Sequence, residues 1–282
     1  MRIAVSVEST NDLSKQLLLD NDIKVVSYQI SLGDAIFKDG DKTTEEIFEQ
    51  VDKLGVLPKT TALNSFEYTE FFEGLLKEYD AVVHVCLSSG LSSSCSQAFA
   101  AANNLKNVYV VDSKSLSTGI GLLALYAREL ATQGVDAKEI AQKVQARVDK
   151  LQVSFVVERL DYLYKGGRCS ALARFGANIF HIRPRIVVKD GKMGSDKKYR
   201  GQMDKVIEKY CNDVLEEFNT PDLSKVFITY TTATPAMVEA AKTACVNAGF
   251  KAIYETRAGG TIASHCGANT LGILYFNDGD QN

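Results

Sequence analysis

The 282-residue sequence lacks the features that mark several whole classes of protein. Lys and Arg number 32 against 35 Asp and Glu, so the net charge is −3 and no broad basic field is available for nucleic acid. No apolar run reaches 18 residues, and the sequence therefore predicts no membrane-spanning helix. The chain opens on the strand-like MRIAVSV without a basic leader. We expect a cytoplasmic protein that makes at most transient contact with a membrane.

The spacing of the six cysteines and the absence of two common nucleotide-binding motifs argue against further classes of protein. No C-x-x-C pair is present, and the wide spacing of the cysteines favours reduced thiols over a zinc site or a secreted disulfide framework. Neither G-x-x-x-x-G-K-[ST] nor G-x-G-x-x-G is found, which makes nucleotide binding the weaker interpretation. We expect no metal and no cofactor.

Strand-like and helix-like segments alternate through the first half of the chain. Apolar runs at 3–7, 81–87 and 107–112 are each followed by a helical pattern. Alternation of this kind predicts a parallel sheet flanked by helices. Two helix starts are also indicated, one by Asp12 ahead of SKQLLLDN and the other by Thr43 with Glu46 three residues later.

The pattern changes after about residue 150. Asp-Gly at 190–191 separates two apolar runs and predicts a hairpin, and 201–218 has apolar residues at helical spacing. Further strand-like and helical segments follow. The sequence thus predicts an α/β protein of two domains: a parallel sheet with helices in 1–150, and a second α/β domain with a mixed sheet in 151–282.

Hydroxyl-rich loops follow three of the predicted strands. They contain Ser9 and Thr10, the serines of 88–94, and those of 113–117. Ligands of open α/β sheets bind beyond the carboxyl ends of the strands, where helix N-termini favour an anion. Because Lys114 is the only cation in these loops, they suit a single carboxylate better than a polyphosphate. The alternative is that the serines are helix caps and turn formers.

A histidine and an arginine stand out in the second half. His265 lies in the Gly- and Ser-rich AGGTIASHCGANT, interpreted as a loop, where it can donate to a carboxylate. Arg168 follows two glycines in YKGGRCS and is suited to bidentate contact with a carboxylate or phosphate. The alternatives are a surface histidine without a role, and a helix C-cap followed by a solvated arginine. His84, inside a strand, is expected to be a hydrogen-bonded core residue.

Seven segments in this order resemble the DegV family of bacterial fatty-acid-binding proteins. They are VESTNDLS (7–14), KTTALNSFEY (59–68), LSSGLSSSCSQA (87–98), VVDSKSLSTGIG (110–121), LDYLYKGGRCS (160–170), IRPRIVVKDGKM (182–193) and GGTIASHCGANTLG (259–272). The resemblance implies a two-domain α/β fold that encloses a long-chain fatty acid such as palmitate, stearate or oleate. It also implies a non-enzymatic subunit that presents the acid to a partner fatty acid kinase, in phospholipid metabolism.

The resemblance also implies roles for individual residues. The expected carboxylate contacts are Thr60, Thr61, Ser92, Ser93 and His265. Arg168 and Arg200 are expected to face the kinase or the phosphorylated head group. The helical segment 172–182 supplies possible tail-lining residues, namely Phe175, Ile179 and Phe180. The sequence departs from the family pattern at several positions, among them Glu8, which stands where an Asp is usual.

Two other functions remain open from the sequence. A serine hydrolase of acyl esters would use a loop serine with His265 as its base, but the sequence has no G-x-S-x-G elbow and no evident acidic partner for the histidine. A lipid sensor or scaffold would share the binding residues of a carrier. Sequence alone does not separate it from the carrier.

Overall fold

A computed structural model describes residues 1–169 and 182–279 of the chain. The first half contains a four-stranded parallel sheet in the order β2-β1-β6-β7. Its strands are β1 (Ile3–Glu8), β2 (Ile23–Val26), β6 (Ala81–Cys86) and β7 (Val108–Asp112). Every residue of β1 and β6 is buried, because central strands of a parallel sheet are covered on both faces. The flanking helices are α1 (Lys15–Asp20), α3 (Ser65–Leu76), α4 (Ser94–Ala102), α5 (Thr118–Thr132) and α6 (Ala137–Arg147).

A six-stranded mixed sheet forms most of the second half, in the order β10-β9-β8-β13-β11-β12. Its strands are β8 (Leu151–Val156), β9 (Arg183–Lys189), β10 (Lys192–Tyr199), β11 (Val226–Tyr230), β12 (Ile253–Arg257) and β13 (Leu271–Phe276). The helices of this half are α7 (Asp161–Gly166), α8 (Met203–Glu217), α9 (Pro235–Asn247) and α10 (Gly260–Cys266). Asp190 and Gly191 both have positive φ, at 50° and 77°, as the predicted hairpin between β9 and β10 requires.

A small antiparallel sheet, absent from the sequence prediction, is formed by the segment between β2 and β6 of the first half. It consists of β3 (Gln29–Leu32), β4 (Ala35–Lys38) and β5 (Lys59–Thr61) in the order β4-β3-β5, with α2 (Thr44–Leu54) beside it. Its strands are only three or four residues long, β4 and β5 contain no buried residue, and β3 buries only Ile30 and Leu32, so no continuous buried run reveals them. The capping box of Thr43 and Glu46 begins α2, as predicted.

The predicted cap of α1 is wrong. Ser14, not Asp12, accepts from the first turn of α1, through the N–H of Leu17. Asp12 adopts a left-handed conformation with φ of 53°, and its carboxylate instead accepts the N–H of Gly259, at the start of α10. The sequence pattern could not show this, because the two residues are 247 positions apart.

One large hydrophobic cluster spans the two halves, and a second cluster, around Val206 and Ile228, belongs to the second half alone. Val5 and Ile120 from the first half belong to the same cluster as Phe155, Phe227 and Phe276 from the second. The domain boundary at residue 150 stays a prediction. None of the helices in the described part of the chain is long and apolar enough to cross a membrane.

Candidate functional site

The hydroxyl-rich loops meet at the carboxyl edge of the parallel sheet, because β1, β6 and β7 are neighbours there. Two of their serines join the loop 88–94 to other segments of the chain. Ser88 donates to the carbonyl of Gly191 at 2.7 Å, and Ser94 accepts the N–H of Leu63 at 2.9 Å. These two serines therefore have structural roles, while Ser92 and Ser93 of the same loop (88–94, called the serine loop below) line a cavity.

This cavity, called the inner cavity below, has a volume of about 80 Å³. It lies where the serine loop, β5, the end of α7 and α10 come together. Its apolar lining consists of Ala62, Leu87, Leu91, Leu116, Met193 and Ile262. Its other lining residues are Tyr28, Thr60, Ser92, Ser93, Arg168, Thr261, His265 and Cys266. An apolar wall with a few converging hydroxyls and one imidazole is typical of a site for a ligand with a single polar end.

His265 lies near the C-terminal end of the helix α10, not in the loop that the sequence predicted. Its Nε2 is joined to the Thr60 hydroxyl by a hydrogen bond of 2.9 Å. Its Nδ1 is buried without a hydrogen-bond partner among the described residues, and it faces Gly166, where an added Cβ would lie 2.6 Å away. Burial, and secondarily the positive charge of Arg168, lowers the pKa of His265 to about 4. The imidazole is therefore neutral at physiological pH.

The structure separates the two expected threonines. Thr60 is paired with Ile30 of β3, which is fully buried, and so projects from the covered face of β5. Thr61 is paired with the exposed Gln29 and projects from the opposite face, where it is exposed and does not line the inner cavity. Successive residues of a strand point to opposite faces, so only one of the pair can reach the cavity from β5.

Tyr28 is a site residue that the sequence analysis missed. Its hydroxyl lies 3.3 Å from the Ser92 hydroxyl, and Ser92 also accepts the N–H of Ser94. Burial raises the pKa of Tyr28 far above its ordinary value, so it stays a neutral donor or acceptor. No motif surrounds this tyrosine, which lies just before β3 and donates its N–H to the Ser9 hydroxyl at 3.2 Å.

Arg168 borders the inner cavity and a second, open groove of about 1000 Å³, called the outer groove. Gly167, with φ of 68°, caps the C-terminus of α7, so the C-cap interpretation of the glycines holds. The arginine is exposed, yet its guanidinium donates to the carbonyl of Gly166 at 2.6 Å and to that of Leu91 at 3.5 Å. It therefore links α7 to the serine loop.

The outer groove carries charge of both signs. Lys59, Arg159, Lys165, Asp52 and Asp161 line it, together with Thr60, Arg168 and His265, which also line the inner cavity. These three shared residues mark the place where the two spaces adjoin. Arg200 is exposed and lines neither of them. Phe175, Ile179 and Phe180 lie outside the described residues.

A separate buried cluster could in principle attract a metal ion. Glu8, His84 and Cys86 place ligand-type atoms within 4.8 Å of one another in the core of the first half. The Glu8 carboxylate is already satisfied, however, since it accepts the Tyr68 hydroxyl and the N–H of Leu87. Burial raises the pKa of Glu8 to about 7 and lowers that of His84 to about 3. His84 is hydrogen-bonded to Ser6, as expected of a core histidine.

Known proteins resemble the chain over two thirds or more of its length. The family model described as "Uncharacterised protein, DegV family" matches residues 2–278. A DegV domain-containing protein of Caldanaerobacter subterraneus, TTE1491, is 32% identical over 203 residues, which cover 71% of this chain and 72% of the relative. Another, CPE0026 of Clostridium perfringens, is 26% identical over 286 residues and 98% of both chains.

Solved structures extend the similarity to the fold. A fatty-acid-binding DegV family protein from Thermus thermophilus has a TM-score of 0.90 at 26% identity, over 98% of this chain and 99% of that protein. DegV from Bacillus subtilis, described as a fatty acid binding protein, has a TM-score of 0.86 at 25% identity over the same shares. The predicted architecture, a parallel sheet flanked by helices plus a second part with a mixed sheet, is confirmed.

Proposed function

The chain belongs to the DegV family, and on that premise we propose that it binds a long-chain fatty acid through the inner cavity. The carboxylate accepts hydrogen bonds from Thr60 and from Ser92 or Ser93, and the tail extends along the apolar lining. His265 donates through Nε2 to the Thr60 oxygen and so directs the Thr60 O–H at the carboxylate. The observation that supports this most is the Thr60–His265 pair, which stands where the apolar inner cavity adjoins the open outer groove.

The tail and the carboxylate of the ligand contribute differently to the binding free energy. Each methylene removed from water contributes about 0.8 kcal/mol, so the tail supplies most of the affinity. Hydrogen bonds to a carboxylate contribute roughly 1.5–3 kcal/mol each and set its position. Since His265 is neutral, it acts as a hydrogen-bond donor and not as a counter-ion. A cavity of about 80 Å³ is well below the roughly 300 Å³ of ordinary ligand pockets, so these residues account for the head group and the first carbons only.

The second part of the proposal concerns the fate of the carboxylate. A separate fatty acid kinase phosphorylates it while it is bound: a carboxylate oxygen attacks the γ-phosphorus of ATP, and acyl phosphate and ADP result. The protein then contributes no catalytic residue. Support comes from the position of Thr60 and His265 at the border of the outer groove, because a carboxylate held there faces the open side of the site. Arg168, on the same border, would meet the phosphorylated head group.

Native mass spectrometry of the purified protein, followed by solvent extraction, tests the binding proposal. We expect a bound species that is released as a long-chain fatty acid, or uptake of added oleate or palmitate by the empty protein. A protein that is empty and takes up neither acid would contradict it. Formation of acyl phosphate with a fatty acid kinase and ATP tests the second part. Arg168→Gln and Arg200→Gln are both expected to lower the rate, and Arg2→Gln, exposed and outside both spaces, serves as the comparison.

The hydrolase alternative receives no support from the geometry. His265 has Thr60 as its hydrogen-bond partner and no carboxylate partner among the described residues. A fluorophosphonate probe that labelled a single serine of the loop would nevertheless revive it.

A further inference from the structure

We propose that Asp12 and Asp39 are positioning residues for His265, because their two carboxylates hold the first turn of α10 and so place the imidazole beside Thr60. The importance of this placement for a ligand rests on the proposed function. Asp12 follows β1 and Asp39 follows β4, so each approaches α10 from a distant part of the chain.

Two hydrogen bonds at the start of α10 support this role of the aspartates. Asp12 Oδ1 accepts the N–H of Gly259 at 2.8 Å, and Asp39 Oδ1 accepts the N–H of Gly260 at 2.8 Å. The first N–H groups of a helix have no partner within the helix, and a side-chain oxygen that accepts them satisfies them. Both aspartates are buried, at 4% and 6% exposure, so neither contact competes with solvent.

The two glycines let the helix approach these carboxylates. A Cβ added to Gly260 would lie 2.6 Å from Ile30 Cδ1, 2.7 Å from Ile47 Cδ1 and 3.2 Å from Asp39 Oδ1. A Cβ added to Gly259 would lie within 3.3 Å of both carboxylates. The start of α10 is therefore seated against β3, α2 and the two aspartates, with no room for a side chain.

Asp12 is itself held in place from the other side. The Ser117 hydroxyl donates to Asp12 Oδ2 at 2.5 Å, and Ser117 adopts φ of 54°, a region that favours glycine. A serine in such a conformation persists where surrounding contacts require it. The chain of contacts thus runs from the loop after β7 through Asp12 to α10, and it ends at the residue that faces Thr60.

Because α10 is short, its orientation depends strongly on the two aspartates at its start. The helix has seven residues, and His265 lies five residues after Gly260. So short a helix is not stable by itself, and its orientation depends on the contacts at its ends. A shift of its first turn is therefore passed to the imidazole, whose hydrogen bond to Thr60 tolerates little displacement.

The charge state of Asp12 indicates which substitution should keep its hydrogen bonds. Burial, together with the nearby Asp39, raises the pKa of Asp12 to about 8, so the carboxyl is largely protonated at neutral pH. Asparagine has the same shape and is also neutral. Its oxygen can accept the N–H of Gly259, and its amide can donate to the Ser117 hydroxyl. Asp12→Asn should therefore preserve the contacts that Asp12→Ala removes.

The experiment compares Asp12→Ala, Asp12→Asn, Asp39→Ala and Asp39→Asn with the unchanged protein. The control is Asp136→Ala, since Asp136 caps α6 through the N–H of Lys138 and does not line the inner cavity. Two quantities are measured at pH 7: the NMR shifts of the His265 imidazole in the absence of ligand, and the dissociation constant for oleate of the folded protein.

We expect the two alanine variants to move the His265 signals and to raise the dissociation constant for oleate about tenfold. The asparagine variants should stay within about twofold of the unchanged protein, and Asp136→Ala should change neither quantity. If the alanine variants lose stability but keep the His265 signals and the oleate affinity, the aspartates are merely structural and the inference is overturned. If the unchanged protein does not bind oleate, the proposed function fails, while the His265 signals still decide the positioning role.

Discussion

At the scale of single residues, the neutral His265 and the Thr60 hydroxyl form the polar end of the inner cavity. Two adjacent threonines provide a matched test of it. Thr60→Val removes the hydroxyl that is joined to His265, while Thr61→Val makes the same change on the exposed face of β5. Loss of one hydrogen bond to a carboxylate should weaken oleate binding roughly tenfold or more, whereas Thr61→Val should leave the affinity unchanged. Titration with a fluorescent fatty acid measures both. An equal loss in the two variants would contradict the assignment of Thr60 alone.

Glu8 is a residue from which we expect a clear pH effect on stability. Burial raises its pKa from 4.5 to about 7, so the protonated form is favoured by folding. Its contribution to stability is fully present below pH 4.5 and is lost as the pH rises through 7. Glu8→Gln should abolish this loss, since an uncharged amide can still accept the N–H of Leu87 and donate to the Tyr68 oxygen.

Urea unfolding at pH 5 and pH 7.5 measures the effect. We expect the free energy of unfolding of the Glu8→Gln protein, relative to that of the unchanged protein, to rise by roughly 2–4 kcal/mol between these two pH values. Asp12, whose pKa is also raised, likewise lowers the stability as the pH rises. His84 and His265, whose pKa values are lowered, have the opposite effect below pH 6.5. Only the difference between the Glu8→Gln protein and the unchanged protein therefore isolates Glu8. Glu78→Gln on the surface is the control. If the free energies of unfolding of Glu8→Gln and Glu78→Gln changed with pH in the same way, the expectation would be contradicted.

At the scale of elements, the hairpin of β9 and β10 is packed onto the serine loop. Ser88 donates to the Gly191 carbonyl at the hairpin tip, and a Cβ on Gly90 would collide with that same oxygen. Gly90→Ala should therefore push the hairpin away from the loop, lower the free energy of unfolding by roughly 1–3 kcal/mol and weaken oleate binding. Gly74→Ala, in α3 with nothing within 4 Å, should instead stabilise the protein by up to about 1 kcal/mol. Chemical denaturation of both variants measures the contrast, and a neutral Gly90→Ala would contradict it.

Some elements of the fold could be predicted from the sequence and others could not. Apolar runs such as β1 and β6 were recognisable because buried parallel strands are continuous in hydrophobicity, and Asp190-Gly191 because its turn requires positive φ. The small sheet, the helix α10 and the role of Asp12 were not recognisable. Each depends on contacts between distant segments, and short elements are determined by such contacts more than by local pattern. The sequence could therefore supply Thr60 and His265 as candidates, but it could not separate Thr60 from Thr61 or find Tyr28.

At the scale of the whole molecule, polar contacts reinforce the shared hydrophobic core. The hydroxyls of Thr118, Thr229 and Thr256 form a buried chain with O–O distances of 2.7 and 3.0 Å, which joins α5 to β11 and β12. The Thr44 hydroxyl donates to the Ala258 carbonyl at 2.7 Å and joins α2 to the segment before α10. With the core continuous across residue 150, we expect a single cooperative unfolding transition for the described halves, not two.

Arg147, the last residue of α6, tests how far the two halves depend on each other. Its guanidinium donates to Asp278 through two bonds of 2.9 Å and to Asp222 at 2.8 Å, and it lies 3.7 Å from the centre of the Phe276 ring. Lysine cannot reproduce this bidentate and stacked arrangement, so Arg147→Lys should lower the free energy of unfolding by roughly 1–3 kcal/mol.

The matched control is Arg159→Lys, which alters a similar fork onto Asp161 at a side chain that is 54% exposed, against 21% for Arg147. An exposed pair contributes less than about 1 kcal/mol, so we expect this variant to be nearly neutral. Thermal unfolding followed by far-UV and near-UV circular dichroism measures both variants. If Arg147 joins two parts of one cooperative unit, its variant melts earlier but still in one step by both probes. Separation into two steps would mean that the halves unfold independently once this contact is weakened, as two domains divided near residue 150 would do.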